Sequence, residues 1–236
     1  MMGASNGVAE LLDTLGPSAR TGRGEQWAGQ CAQVLGLDGV AVTMDAELVL
    51  FSDRISARLE DVQFVLGHGP SVPLRPEIEL CQVPDVQQLP HGAWPQFAAE
   101  AQKLGIAAVF VWPVRIGAVV AGTLTGYRRS PGPLASRQAA DGWLVADVLA
   151  AHVLAHWPSA SASASASASA SASEDGPGTA GAVDMHRAEV HQATGVLSVR
   201  LDIPLADALA RLRARAYTEG RPLTETAHDI VKTLPS

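Results

Sequence analysis

The chain has 236 residues, 47% of them apolar, and a formal net charge of -7. That length holds one or two domains, and the apolar share excludes a chain disordered throughout. An acidic balance also argues against indiscriminate nucleic-acid binding.

The charge is unevenly placed. From Asp184 to Ser236 there are seven basic and seven acidic residues, so the whole excess of negative charge lies before Asp184. Cys31 and Cys81 are far apart with no C-x-x-C pattern, which speaks against a disulfide framework or a structural zinc site. No apolar run reaches the eighteen or so residues of a membrane span. The start, MMGASNGVAELLDTLG, lacks the basic residues and long apolar core of a signal peptide. A cytoplasmic protein with no membrane contact is the expectation.

In chain order, Val8–Leu15 is read as a short helix with Leu11, Leu12 and Leu15 on one side. Gln26–Leu35 follows as a helix with Trp27, Cys31, Val34 and Leu35 inward. Val40–Met44 and Leu48–Ser52 form a strand pair around Asp45-Ala46-Glu47. Ala57–Leu66 is helical, ended by the breaker cluster Gly67-His68-Gly69-Pro70. Pro95–Leu104 is a short helix. Ala107–Val114 and Val119–Tyr127 are strands joined by a hairpin near Ile116-Gly117, and a long helix runs from about Ala135 to Trp157. Helix, strand pair, helix, helix, strand pair, helix is an α+β order with an antiparallel sheet. Leu144, Val148, Ala151 and Ala155 on the long helix, with Val8–Leu15, predict an apolar dimer face.

Ser159 to Ser173 alternates Ser and Ala without a break and leads into Gly176-Pro177-Gly178. Such a tract has little surface worth burying and is read as a tether. Beyond it come three thin apolar stripes at helical spacing. They are Val190, Ala193, Leu197 and Leu201; Leu205, Ala208, Leu209, Leu212 and Ala216; and Leu223, Ala227, Ile230 and Val231. Helices this short are marginal alone, so a three-helix module that buries the stripes together is expected. The division is residues 1–158, a tether over 159–182, and residues 183–236.

Two stretches carry family resemblances. LEDVQFVLGHGPS, WPQFAAEAQKLGIAAVFVWPVRIG and GTLTGYRRSPGPL resemble a GAF sensor domain over about Gln26 to Trp157, with Gln63-x-x-Leu66-Gly67-x-Gly69-Pro70 the most specific tract. Relatives often read Gly-Glu-Gly-Pro-Cys where this chain has Gly67-His68-Gly69-Pro70-Ser71. Ala193-x-Gly195-x-Leu197, Ala208-x-x-x-Leu212-Arg213-x-x-Ala216 and Gly220-Arg221-x-Leu223-x-x-x-Ala227 resemble the ANTAR domain of transcription antiterminators. That resemblance implies RNA binding at paired stem-loops in nascent messenger RNA, which prevents a terminator hairpin from forming. It implies RNA contacts at Ala193, Thr194, Gly195, Arg200, Arg213 and Arg221, although Thr194 stands where the family usually has Lys. A duplicated RNA site favours a homodimer through effective concentration.

Ligand-pocket candidates in the first half are Phe64, His68, Ser71, Trp94 and Trp112, because small-molecule sites are mostly apolar with a few polar groups. Asp207, Arg211, Arg215 and Glu219, four apart, read as an ion-pair ladder rather than an RNA face. His152 and His156 share a helix face without the acidic residue or third ligand of a metal motif. No nucleophile elbow is present. Neither an enzyme nor a cofactor site is expected. A rival to the RNA reading is a sensor acting through protein contacts.

Overall fold

Alternating side chains sort the first half of the chain onto two faces of one sheet. The computed structural model describes residues 24–44, 47–72, 80–90, 92–156 and 180–233. Its strands are β1 (Gly39–Met44), β2 (Glu47–Phe51), β3 (Cys81–Val83), β4 (Ala108–Ile116) and β5 (Val119–Arg128). They pair antiparallel in the order β2-β1-β5-β4-β3. Pro113 is tolerated within β4 because β3 ends its pairing at Val111, leaving that edge open among the described residues.

Four helices cover this sheet: α1 (Gly24–Leu35), α2 (Arg54–Leu66), α3 (Pro95–Lys103) and α4 (Ser136–His156). Val40, Val42, Phe110, Trp112, Val114 and Leu124 point to one face, where Trp27 and Cys31 of α1 and Val145 and Leu149 of α4 meet them. Val109, Val111 and Tyr127 point to the other, against Leu59 and Val62 of α2 and Phe97 of α3. The period-two alternation of each strand is what separates these two cores. The α+β class and antiparallel sheet read from the sequence are those observed. The short strand β3 and a 3-10 turn at Val86–Gln88 are additions that three-residue elements hide from pattern reading.

The C-terminal region forms three packed helices, α5 (Ala180–Leu201), α6 (Leu205–Glu219) and α7 (Leu223–Lys232). Pro204 sits at the N-terminal cap of α6, and Gly220, at φ 63°, ends it in the left-handed conformation that glycine adopts without strain. Val190, Ala193, Leu212, Ala216, Leu223, Ala227 and Ile230 form the shared core. Leu201 and Leu205, expected inward, are 44% and 61% exposed, because each lies in the last or first turn, past the reach of the crossing helices. Helix α5 also begins at Ala180, inside the span expected to be tether. The expected Val8–Leu15 helix and the Ser-Ala tract lie outside the described residues, as do the side chains of His152, Ala155 and His156.

Helix α4 crosses β4 with no room for a side chain at Gly142, where a Cβ would overlap the indole of Trp112. That indole donates to the Ala139 carbonyl at 3.1 Å. Gly142→Ala is therefore an overpacking change and should lower the unfolding free energy by about 1–3 kcal/mol, read from a denaturant titration. An unchanged midpoint would mean that α4 rides higher on the sheet.

Candidate functional site

Helix α2 is buried at six successive positions, from Leu59 to Phe64. One sheet face covers only a stripe of a helix. A run of six means that α2 is covered on more than one side. The sheet takes Leu59 and Val62. Phe64 belongs instead to the core of the C-terminal bundle, with Val190, Leu212 and Ala216.

The N-terminus of α2 is fixed by Asp53. Its carboxylate accepts from the backbone N–H groups of Ile55 and Ser56 at 2.8 and 2.9 Å, and from the Tyr127 hydroxyl at 3.2 Å. Burial and the Asp53 charge push the Tyr127 phenol up to about 12. This end of α2 is thereby tied to the sheet.

Its C-terminus is fixed by different means. Helix ends leave their last carbonyls without intrahelical donors. Gly67, at φ 67°, donates its N–H to the Gln63 carbonyl at 2.9 Å. The next carbonyl, that of Phe64, accepts from Arg213 of α6 through Nε at 3.1 Å and Nη2 at 2.6 Å. The guanidinium also lies 5.5 Å from the Phe64 ring centroid, and a Cβ at Gly67 would come within 3.0 Å of the Arg213 Cδ. The cation sits at the negative end of the helix dipole, where positive charge is favoured. Burial lowers the Arg213 pKa, yet an arginine keeps its charge in proteins.

A second arginine completes the clasp. Arg187 of α5, 1% exposed, stacks 4.9 Å from the Phe64 centroid on its guanidinium carbon and places Nε 4.0 Å from the Asp61 carboxylate. One turn on, His191 lies 2.8 Å from Glu47 of β2, a contact that holds the Glu47 pKa below its usual range. Thr194 continues this face of α5 at the next helical spacing. It is buried, and its hydroxyl donates to the Val190 carbonyl at 2.7 Å.

The loop after α2 hangs from Gln63. Its side-chain oxygen accepts the Ser71 N–H at 2.8 Å, and its amide donates to the Glu60 carboxylate at 3.1 Å. The Ser71 hydroxyl reaches the same carboxylate at 3.4 Å. Gly69, at φ 147°, leaves room that a side chain would take from Gln63. His68 contacts Gln96 of α3 at 2.8 Å, and Trp94, at φ 48°, begins that helix with its ring edge-on to Phe97.

The expected ligand set is therefore divided. His68, Ser71 and Trp94 lie on the loop and the start of α3. Trp112 is on the opposite face of the sheet, fully buried in the other core, and Phe64 faces the bundle. The expected RNA set is divided as well. Ala193 is in the bundle core, Thr194 is buried, Gly195 is half-buried, and Arg213 is held by Phe64. Arg200 and Arg221 are exposed. Arg200 donates to the Thr233 carbonyl at 3.0 Å, while Arg221 lies 2.8, 3.6 and 3.7 Å from Asp229, Glu225 and Glu219. The Asp229 contact raises the Arg221 pKa and lowers that of Asp229. The ladder on α6 is present in its second rung, Arg215 to Glu219 at 2.7 Å. Arg187, His191, Glu47 and Asp61 were not singled out from the sequence; the i, i+4 pair Arg187 and His191 on a stripe beside the apolar one was the available signal.

Among the described residues no group of three His, Cys, Asp or Glu side chains is placed to hold a metal, and no helix is long and apolar enough to cross a membrane. No protein-family model matches the sequence, and no curated protein matches it. Solved structures with similarity include a domain of a two-component sensor histidine kinase protein from Sinorhizobium meliloti, 18% identical, covering 56% of this chain and 88% of that one at a TM-score of 0.46. A GAF domain from a phosphoenolpyruvate-protein phosphotransferase of Coxiella burnetii is 14% identical, covering 69% and 99% at 0.41. A phycoerythrobilin-bound GAF domain from a cyanobacterial phytochrome is 11% identical, covering 62% and 94% at 0.38.

Glu60 offers a direct test of the loop anchor. It is 3% exposed, and burial raises its pKa above the ordinary carboxylate range, opposed in part by its hydrogen bonds. The folded state then keeps a proton that the unfolded chain releases, so stability falls as pH rises from the unfolded pKa through the folded one. Glu60→Gln should remove that slope. Thermal melts should show the variant more stable than the native chain at pH 7, with the gap closing toward pH 4. A lower melting temperature at both pH values would show that the carboxylate is ionised and needed.

Proposed function

We propose that the chain is a signal-responsive regulator in which a GAF-like sensor domain controls an ANTAR-like three-helix output that binds paired stem-loops in nascent messenger RNA. Binding there denies a transcription terminator its stem. The observation that carries this reading is the clasp: a three-helix module with the expected capping residues rests its arginine on the helix that leads into the sensor loop. A protein whose two halves acted separately would have no reason to bury Arg187 and Arg213 between them. The loop Gly67–Ser71 and the start of α3 are the proposed place for a small-molecule signal. The protein acts in the cytoplasm, as a homodimer that matches a duplicated RNA site, and is not a catalyst.

RNA loops are read by stacking and by contacts to base edges, so a module this small uses few residues per loop. Arg200 and Arg221 are the exposed cations of the proposed set, and phosphate contacts make binding salt-dependent. Binding to an RNA with two adjacent stem-loops should weaken with salt, and Arg200→Ala should flatten the slope of log K against log salt by about 0.7, with a smaller change for Arg221→Ala, whose charge three carboxylates already share. Arg215→Ala should change it less, because Glu219 already shares that charge.

The second reading is a regulator whose output acts through protein contacts. Thr194, buried where relatives usually carry Lys, and Arg221, ringed by three carboxylates, favour it. It forecasts no hairpin binding at low salt in any variant.

A further inference from the structure

Of the residues assigned to RNA, Arg213 is held by the sheet domain, whereas Arg200 and Arg221 stay exposed. Arg213 has its guanidinium on the Phe64 carbonyl through two hydrogen bonds. Thr194 shares a face of α5 with Arg187 and His191, both of which touch the sheet domain, at Phe64 and Asp61 and at Glu47. A carbonyl at a helix C-terminus presents partial negative charge to a guanidinium, as a phosphate oxygen presents full charge. The two acceptors need the same donors of the same residue.

From this geometry we propose that α2 is a built-in competitor of RNA: the bundle docked on Phe64 cannot bind a stem-loop through Arg213, and release from α2 is the step that turns the output on. The inference rests on the RNA-binding reading. It names the element that regulates that site and the residue where competition occurs.

The route from signal to release is short. Gln63, which holds the Ser71 N–H at 2.8 Å and caps Gly67 through its own carbonyl, immediately precedes Phe64. A ligand that reorders Gly67–Ser71 pulls on the turn of α2 that carries the Arg213 acceptor. Phe64 itself packs in the bundle core rather than in either core of the sheet domain. Its removal therefore weakens docking more than it weakens the sheet domain.

The test uses the full chain, unaltered and with either Phe64→Ala or Glu47→Lys. The second change lies on β2 and reverses the charge facing His191 of α5, leaving α2 and α6 unaltered. The probe is a pool of RNAs with two adjacent stem-loops of randomised loop sequence. A parallel reaction with an arginine-selective dicarbonyl, mapped by mass spectrometry, reads the exposure of Arg213. Both variants should increase Arg213 modification and tighten RNA binding by about tenfold or more, and adding Arg213→Ala should cancel the gain. Where either variant folds poorly, the other carries the comparison. Equal RNA affinity in all three chains, with binding still lost in Arg213→Ala, would overturn competition while leaving RNA binding intact. Increased Arg213 modification with no RNA binding in any chain would instead overturn the RNA reading, and the competition with it. Unchanged modification in both variants would show that the clasp does not govern Arg213 and would also overturn the proposal.

Discussion

The placement of one guanidinium at the last turn of one helix organises the rest of the arrangement. A helix C-terminus with open carbonyls is a site of partial negative charge, and leaving such groups buried without donors is costly. In this chain the donor for Phe64 comes from 149 residues away. The aromatic ring below it is flanked by two guanidinium groups, Arg187 and Arg213, each near the distance at which a cation is attracted to the ring. Charge-assisted hydrogen bonds in a partly buried site are stronger than their solvent-exposed counterparts. The contact is local, but it sets how the two halves of the chain meet.

That arrangement gives the charge distribution a physical role. The bundle half is electrically neutral, whereas the rest of the chain carries the negative excess. Asp61 and Glu47 present carboxylates to Arg187 and His191 across the contact. A polyanion approaching the same face would meet both the covered cations and the repulsion of an acidic domain. Docking and anion binding are then opposed by charge as well as by shape. Helix α2 is the mechanical link, since Asp53 ties one end to the sheet while Gln63 ties the other to the loop.

Much of this architecture is legible from local pattern. Val40–Met44 beside Leu48–Ser52, and the hairpin at Ile116-Gly117, follow from alternation and turn chemistry; Pro204 and Gly220 punctuate α6 where their backbone preferences require. The start of α2 is less visible, since Ile55 stands between the polar Arg54 and Ser56 and the signal lies in Asp53 as a capping carboxylate. The site was harder still. Phe64 and Trp112 are both large aromatics in the first half, and nothing in their spacing tells that one faces a distant bundle while the other lies on the far side of the sheet. Arg213 was recognisable as a residue with a role. That its nearest acceptor is a main-chain carbonyl is invisible to any sequence pattern, because every residue has a carbonyl and only tertiary packing chooses one.

The central claim is an energetic coupling between Phe64 and Arg213, and a double-mutant cycle on the stability of the full chain measures it most directly. The single variants Phe64→Ala and Arg213→Ala and their combination are unfolded in denaturant under identical conditions. Residues in contact show interaction energies of about 0.5–3 kcal/mol, whereas independent sites add within about 0.3–0.5 kcal/mol. The clasp predicts that the second substitution costs much less once the first is present, with a coupling in the former range. Because Phe64→Ala keeps the main-chain carbonyl, the cycle reads the contact of the ring with the guanidinium, and additive losses would contradict that contact.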